Sequence, residues 1–306
     1  MTGRLLRRLL LGIVTIAGVY TLTFVMVISV PGNPLQQSER NMPPEVEQAL
    51  KARYRMDNNW IYFGQFLKGA VRLDFGPAFT YADWTCNQIL MHSLPVSLVI
   101  GLLAILIAVG VGVPAGVLGA VYRNSWLDGA VLGVVLLGIS LPTFVTGSVL
   151  LTVFAVYLRL LPVGGWGTLA HLPLPCVTLA LPYAAYIARL TRMSMLDVLG
   201  SDFIRTAVAK GLPRRVVIGR HAMKVAFLPV VSFLGPATAQ AMTGSFVVEK
   251  VFGVPGLGQH FVNAALNRDA GLILSTVLVF SSLLVVFNLV VDLLYAWLDP
   301  RMVDAL

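Results

Sequence analysis

Uncharged runs of roughly twenty residues or more recur along this 306-residue chain, and they fix its class before any motif does. Such a run crosses a bilayer as one helix, because in lipid every backbone N–H and C=O must be satisfied within its own segment. The first lies between Leu9 and Val30, behind Arg4, Arg7 and Arg8. It exceeds the apolar core of a cleavable signal peptide, so it reads as an uncleaved first span with its N-terminus in the cytoplasm. Further spans are expected from Leu94 to Tyr122, Gly129 to Leu158, Leu172 to Ala188, Val225 to Val248 and Ala270 to about Leu298. The fourth continues as a charged helix through Arg189, Arg192 and Asp197. Only 12% of residues are charged and 57% are hydrophobic, against about 25% charged in soluble domains. The fold class is therefore an all-α membrane protein with about six transmembrane helices.

Within the spans, Gly110, Gly112, Pro114, Gly116 and Gly119 crowd the second half of the second helix, where small residues allow close helix approach and Pro114 can introduce a kink. The third contains Pro142. Residues 31–93 form the sizeable polar region, a small helical insertion outside the membrane. Pro43-Pro44-Glu45 opens a helix expected to run to about Arg55. Trp60 to Arg72 places Ile61, Phe63, Phe66, Leu67 and Val71 near helical spacing, and Asp74-Phe75-Gly76-Pro77 is a turn. The organisation read here is 1–30 (N-terminus and first span), 31–93 (insertion), 94–298 (five-helix core) and 299–306 (tail). Cys86 and Cys176 have neither metal spacing nor a C-x-x-C pattern, and read as buried or free thiols, with a disulfide left open.

The formal charge of +8 reflects loops rather than nucleic-acid binding. Arg4, Arg7, Arg8, Arg123, Arg189, Arg192 and the basic run after residue 201 fall on one side of a six-span layout. Lys and Arg in short loops mark the cytoplasmic face, so both termini and the 201–224 stretch are expected there. Catalysis is not expected. There is no Gly-Lys dipeptide for a phosphate loop, no H-E-x-x-H and no G-x-S-x-G. His92, His171, His221 and His260 stand singly and give no metal set. Asp292 is the one acid inside a span, near its inner end, so a proton-coupled mechanism has little to work with.

Three stretches remain to carry function. The first, Ser201 to Pro229, is basic and reads as helix, break, helix. Gly211 suits a left-handed helix terminator and Pro213 the first turn of the next helix, so the stretch forms a stiff docking hairpin. The second is the fifth span, whose Ser232, Thr238, Gln240, Thr243 and Ser245 could face a wet path or pack against neighbours. The third is the loop Phe252-Gly253-Val254-Pro255-Gly256-Leu257-Gly258-Gln259, a tight turn or an outer gate. A glycine-rich outer loop, Gly164-Gly165-Trp166-Gly167, precedes the fourth span.

Arg205-Thr206-Ala207 followed by Gly211 resembles the cytoplasmic EAA loop of ABC importer permeases. Gly211-Leu212-Pro213, His221-Ala222-Met223-Lys224 and Leu228-Pro229 are similar to the peptide-importer version of that loop. So are Gly235-Pro236, Thr243-Gly244-Ser245, the 252–258 loop, Asn267-Arg268-Asp269, Asp299-Pro300-Arg301, Pro31-Gly32-Asn33-Pro34, Pro43-Pro44-Glu45 and Asp74-Phe75-Gly76-Pro77. The likeness covers nearly the whole chain and is to B-type permease subunits of oligopeptide and dipeptide ABC importers, with nickel permeases close by. Arg205 stands where many ABC permeases have glutamate, and Thr206 where they have the first alanine, a departure that points to the peptide branch.

The resemblance implies a type I importer permease fold. It implies that Arg205, Thr206, Ala207, Gly211, Leu212, Pro213, Arg214, Arg215 and His221 couple to cytoplasmic ATPase subunits. It also implies a second permease subunit, two ATPases carrying ATP and Mg, an external peptide-binding protein, and no cofactor on this chain. Phe252, Gly253, Pro255, Gly256 and Gly258 would lie at the outer gate. A permease for nickel, glutathione or another peptide-like solute is the nearest alternative. A non-conducting structural protein and an ion-coupled transporter are the alternatives from other classes.

Overall fold

The computed structural model of the chain describes residues 2–29, 45, 58–81, 84–243 and 246–298. Besides a 3-10 turn at Leu169–His171, which leads into the helix that starts at Pro173, twelve helical segments are described. They are α1 Thr2–Ser29, α2 Asn59–Val71, α3 Cys86–Val121, α4 Trp126–Ser140, α5 Thr143–Tyr157 and α6 Pro173–Leu199. They continue with α7 Asp202–Ala209, α8 Arg214–Ala226, α9 Leu228–Met242, α10 Phe246–Val251, α11 Leu257–Leu266 and α12 Ala270–Leu298. Among the described residues there is no strand, only an isolated bridge between Pro77 and Thr85. Among the described residues, four helices are long and apolar enough to cross a membrane singly: Arg7–Ser29, Cys86–Val121, Leu169–Leu199 and Ala270–Val291. Counting α4 with α5, and α8 with α9 and α10, as broken spans gives six.

The chain divides into two compact units. One comprises residues 1–97 with 255–285. In it α2 starts on a side-chain cap: Asn58 Oδ1 accepts the N–H groups of Trp60 and Ile61 at 3.0 and 3.3 Å. Its apolar face buries Tyr62 and Phe66 against Tyr20 and Phe24 of α1 and against Ala270, Leu274 and Leu278 of α12. The Tyr20 hydroxyl donates to the Phe63 carbonyl at 2.8 Å. The amphipathic helix read from Trp60 to Arg72 is thus pinned to the first span by aromatic packing. The helix expected through Arg55 and the Pro31-Gly32-Asn33-Pro34 turn lie outside the described residues, Glu45 excepted.

The helix that carries the second span begins at Cys86, eight residues before the expected Leu94. Thr85 and Gln88 form a capping box: Gln88 Oε1 accepts the Thr85 N–H at 2.8 Å and Thr85 Oγ1 accepts the Gln88 N–H at 3.2 Å. The helix then starts at Cys86, whose N–H donates to the Gly76 carbonyl at 2.9 Å. Residues 86–93 are therefore helix, although the sequence reading placed them in the polar insertion. Asp269 caps α12 from below, with Oδ1 accepting from Leu272 N–H at 3.0 Å and Oδ2 from Thr80 N–H at 2.7 Å.

The other unit comprises residues 98–254 with 286–306, of which 299–306 are not described. Here α3 packs against α6 along Gly112, Gly116 and Gly119. A methyl on Gly112 would lie 2.6 Å from the Ala184 carbonyl oxygen, and one on Gly116 would collide with that of Ala188. Gly110, by contrast, faces open space. Gly101 meets Ala241 and Met242 of α9 as closely, and Gly138 of α4 meets Ala185. The single third span expected from Gly129 to Leu158 is instead two helices bent by 107°. The cause is Leu141-Pro142. A proline disfavours helical backbone at the residue before it and cannot donate, and Leu141 sits at φ −85°, ψ 129° with Pro142 as the N-cap of α5. The fifth span is likewise broken at Phe227, ahead of Pro229, so α9 starts at Leu228 rather than Val225. Cys86 and Cys176 are buried free thiols.

Candidate functional site

The basic stretch after residue 200 folds as a helical hairpin, α7 and α8. Ile204 and Ala207 of α7 and Val217, Ala222 and Ala226 of α8 are buried against Ala120 of α3 and Met195 of α6. The break between them is a Schellman motif. Gly211 N–H donates to Val208 O at 2.9 Å and Leu212 N–H to Ala207 O at 3.4 Å, with Gly211 at φ 77°. Leu212 tucks into the same apolar cluster, the contact that usually accompanies this cap. Pro213 is the N-cap of α8, at ψ 142°, one position earlier than the first-turn site expected for it. Local sequence thus fixes the angle between two short helices and tertiary packing fixes where the pair sits.

What the hairpin leaves exposed is mixed. Phe203 is 46% and Val208 59% exposed, beside exposed Arg205, Thr206, Lys210, Gly211, Pro213 and Arg215. Arg205 pairs with Asp202 one turn back at 3.3 Å, a solvated pair worth little. Thr206 Oγ1 donates to Asp202 O at 2.9 Å. Arg214 reaches back to α3, donating from Nη2 to the Val121 carbonyl at 3.2 Å. Half-buried His221 places Nδ1 3.3 Å from Val216 O. Sequence reasoning singled out the charged positions and the turn. It missed Phe203 and Val208, whose exposure depends on which helical face the tertiary packing consumes.

Close to the hairpin, Asp128 in the first turn of α4 and Arg192 of α6 form a two-pronged ion pair. Arg192 Nε donates to Oδ1 at 2.7 Å and Nη2 to Oδ2 at 2.8 Å. Asn124 N–H donates to the same carboxylate at 3.0 Å, and Ser125 Oγ caps the helix. Asp128 is only 4% exposed. A carboxylate so placed must be paired, and the fork geometry of arginine supplies both bonds at once. The pair ties the α3–α4 turn to α6, which in turn supports α7 and α8.

On α9, Ser232, Pro236 and Gln240 recur at four-residue spacing and are all exposed, while Val231, Gly235, Ala237 and Ala239 are buried. Thr238 and Thr243 are half-buried, and Ser245 lies outside the described residues. Beside this stripe the ring of Phe233 lies 4.4 Å from that of Tyr186 and 6.5 Å from that of Tyr183, both on α6. The aromatic contribution from α6 was not legible as part of the site, because nothing local says which face of α6 meets α9.

The 252–258 loop is split between the two compact units. Phe252 and Gly253 belong to the second. There α10 ends in another Schellman motif, with Val254 N–H donating to Glu249 O at 2.8 Å and Gly253 at φ 59°. The Phe252 carbonyl accepts Gly165 N–H at 2.8 Å, so the glycine-rich 164–167 loop is clasped to it. Exposed Pro255 and buried Gly256 and Gly258 belong to the first unit, where Gly256 is the N-cap of α11 and Ser97 Oγ of α3 accepts Leu257 N–H at 2.9 Å. The side chain of Asp292 lies outside the described residues.

A model of the family "Binding-protein-dependent transport system inner membrane component" matches residues 112–304, which include the hairpin and the α6–α9 face. The chain belongs to this family. It is a multi-pass inner-membrane permease component built of helices. The oligopeptide transport system permease protein OppB of Salmonella typhimurium is 46% identical over 301 residues, spanning 97% of this chain and 98% of its own length. The dipeptide transport system permease protein DppB of Bacillus subtilis is 41% identical over 288 residues, 94% of this chain and 93% of that one. The solved inward-facing MetNI methionine ABC transporter overlaps 69% of this chain and 97% of that chain, with a TM-score of 0.49 and 18% identity.

Proposed function

We propose that this permease forms one half of the translocation path of an ATP-driven importer of short peptides. The observation that carries the reading is near-full-length identity to oligopeptide and dipeptide permease subunits, with the match extending through the exposed α7–α8 hairpin. The hairpin is the coupling element: it sits on the cytoplasmic side, in a groove of an ATPase subunit, with Phe203 and Val208 as apolar contacts and Arg205, Arg214 and Arg215 around them. The chain itself is non-catalytic. ATP and Mg belong to two ATPase subunits, a second permease completes the path, and an external binding protein delivers the peptide. A short hairpin packed on two spans moves with them as a rigid body, which is what alternating access requires. The Ser232–Gln240 stripe faces the path, and Phe252, Gly253, Pro255, Gly256 and Gly258 lie near its outer mouth.

The deciding experiment is affinity purification of the tagged chain from mild detergent, with partner identification and ATPase assays with and without peptide-loaded binding protein. Two ATPases, a sister permease and peptide-stimulated hydrolysis are expected. Charge reversal at both Arg214 and Arg215 should lose the ATPases while leaving the chain in the membrane. A chain that purifies alone and hydrolysis-linked uptake that survives its deletion would overturn the reading.

A further inference from the structure

The helix α2 presents three faces. One buries Tyr62 and Phe66 against α1 and α12. A second runs through Trp60, Gly64, Leu67 and Val71, the spacing of a single helical stripe. All four are exposed, Trp60 by 69% and Val71 by 80%, and a methyl on Gly64 would meet nothing within 4 Å. Leu73, just past the C-cap in a left-handed conformation, adds a further apolar side chain that is 73% exposed. The third face carries exposed Gln65, Lys68 and Arg72, with Ile61 among them, and α2 contains no acid. A helix on the surface of a soluble domain turns polar residues away from the core. This one exposes an apolar stripe beside a basic one.

The packing partners of α2 fix its depth. Tyr20 and Phe24 belong to the Arg7–Ser29 span, and Ala270, Leu274 and Leu278 to the Ala270–Val291 span. At the helical rise, Phe24 and Tyr20 lie at most about 8 and 14 Å short of Ser29, and Leu274 and Leu278 at most about 6 and 12 Å past Ala270. Two spans thus hold α2 level with one boundary of the membrane. An amphipathic helix lying in the interface sinks its apolar face about 5–10 Å into the boundary between headgroups and acyl chains, a comparable depth.

We propose that α2 is an interfacial helix seated in the phospholipid leaflet at the far end of α1 from Arg7 and Arg8, with Trp60, Leu67, Val71 and Leu73 entering the lipid and Lys68 and Arg72 binding phosphates. In the orientation proposed above this is the outer leaflet. The seating itself needs only the membrane spans and not the importer reading. An acid-free, basic edge complements a layer of phosphates, and the long stems of Lys68 and Arg72 can lie along apolar surface while their charged ends reach it. Trp60 stands at the end of α2 where the Tyr62 ring lies 6.2 Å from that of Phe24. It sits at the headgroup level favoured by indole rings, where water still reaches it. Seated in this way, α2 fixes the depth of α1 and α12.

The test uses the assembled transporter in phospholipid nanodiscs, with Cys86 and Cys176 replaced by alanine and one cysteine, at Val71 or at Gln65, carrying an environment-sensitive fluorophore. Nitroxides on the lipid acyl chains should quench the Val71 label, and iodide in the water should not; the Gln65 label should show the reverse. Emission from Val71 should be shifted to the blue of that from Gln65, and a label at Leu73 should repeat the Val71 result. Lys68→Glu with Arg72→Glu should weaken lipid quenching at Val71 while the complex remains assembled. Iodide quenching at Val71 as strong as at Gln65 would place the stripe in water. A Val71 label that neither quencher reaches would mean that protein covers the stripe, the sister permease and the binding protein included. Either result would overturn the seating, and unchanged lipid quenching in the double variant would overturn the phosphate contacts.

Discussion

At the scale of single residues, two positions show how local chemistry sets the framework. Gly211 is exposed, and its φ of 77° is a region that side chains with a Cβ occupy at a cost. Its N–H also donates to Val208. Gly211→Pro violates both conditions, since proline fixes φ near −65° and has no N–H. Transport should be abolished with the chain still inserted in the membrane, checked by uptake and by membrane fractionation. Asp269 is fully buried and takes N–H groups from Thr80 and Leu272. Asp269→Ala leaves both donors unsatisfied and should cost about 1–3 kcal/mol, read as a lower unfolding midpoint in detergent, while Asp269→Asn retains an acceptor and should lose less. Burial raises the Asp269 carboxyl above its ordinary value, opposed by those N–H bonds. A folded pKa above the unfolded one means protonation favours the fold. This contribution is complete below the ordinary carboxylate value near pH ~4 and is lost as pH rises through the raised one. Asp269→Asn should flatten that part of the stability–pH curve.

At the scale of elements, what matters is how helices are held at fixed distances. Gly112 and Gly116 bring α3 against α6 at backbone contact, Gly119 lies over the Arg192 side chain, and the Asp128–Arg192 pair locks the turn that follows α3 onto the same helix. Arg214 adds a third tie, from the hairpin to the last turn of α3. Displacement of α7 and α8 is therefore passed to α3 and α6 together. Asp128→Asn and Arg192→Gln should each uncouple the cycle, with ATP hydrolysis continuing at reduced peptide transport. The exchange Asp128→Arg with Arg192→Asp should recover part of the ratio of peptide moved to ATP consumed, because the attraction is restored in a tight site. Singles that transport with unchanged stoichiometry would remove the pair from the coupling route. The element boundaries that sequence reasoning placed wrongly have identifiable causes. The Thr85–Gln88 capping box was a legible start signal for α3 that the apolar run alone overshadowed. Pro142 was seen, yet periodicity does not say whether a membrane proline kinks a helix or, as here, ends one and starts another.

At the scale of the whole molecule, the proposed orientation puts the α7–α8 hairpin inside and the α2 insertion outside. Single cysteines at Val208 and at Trp60, in a chain whose Cys86 and Cys176 are replaced by alanine, test it with a membrane-impermeant thiol reagent. Trp60→Cys should label in intact spheroplasts and Val208→Cys only after permeabilisation; the reverse pattern would invert the topology. The sequence by itself determined the class, the approximate spans, the basic hairpin and its glycine terminator. Those rest on signals carried by adjacent residues: apolar run length, charge asymmetry between loops, and the conformational preferences of glycine and proline. The tertiary structure alone decided that Arg192 pairs with Asp128, that Tyr186 meets Phe233, and that Phe252 receives Gly165. It also decided that Phe203 and Val208 stay uncovered while Ile204 and Ala207 do not. Each of these depends on which face of a helix its neighbour consumes. A span that is apolar on every side carries no pattern from which that face can be read.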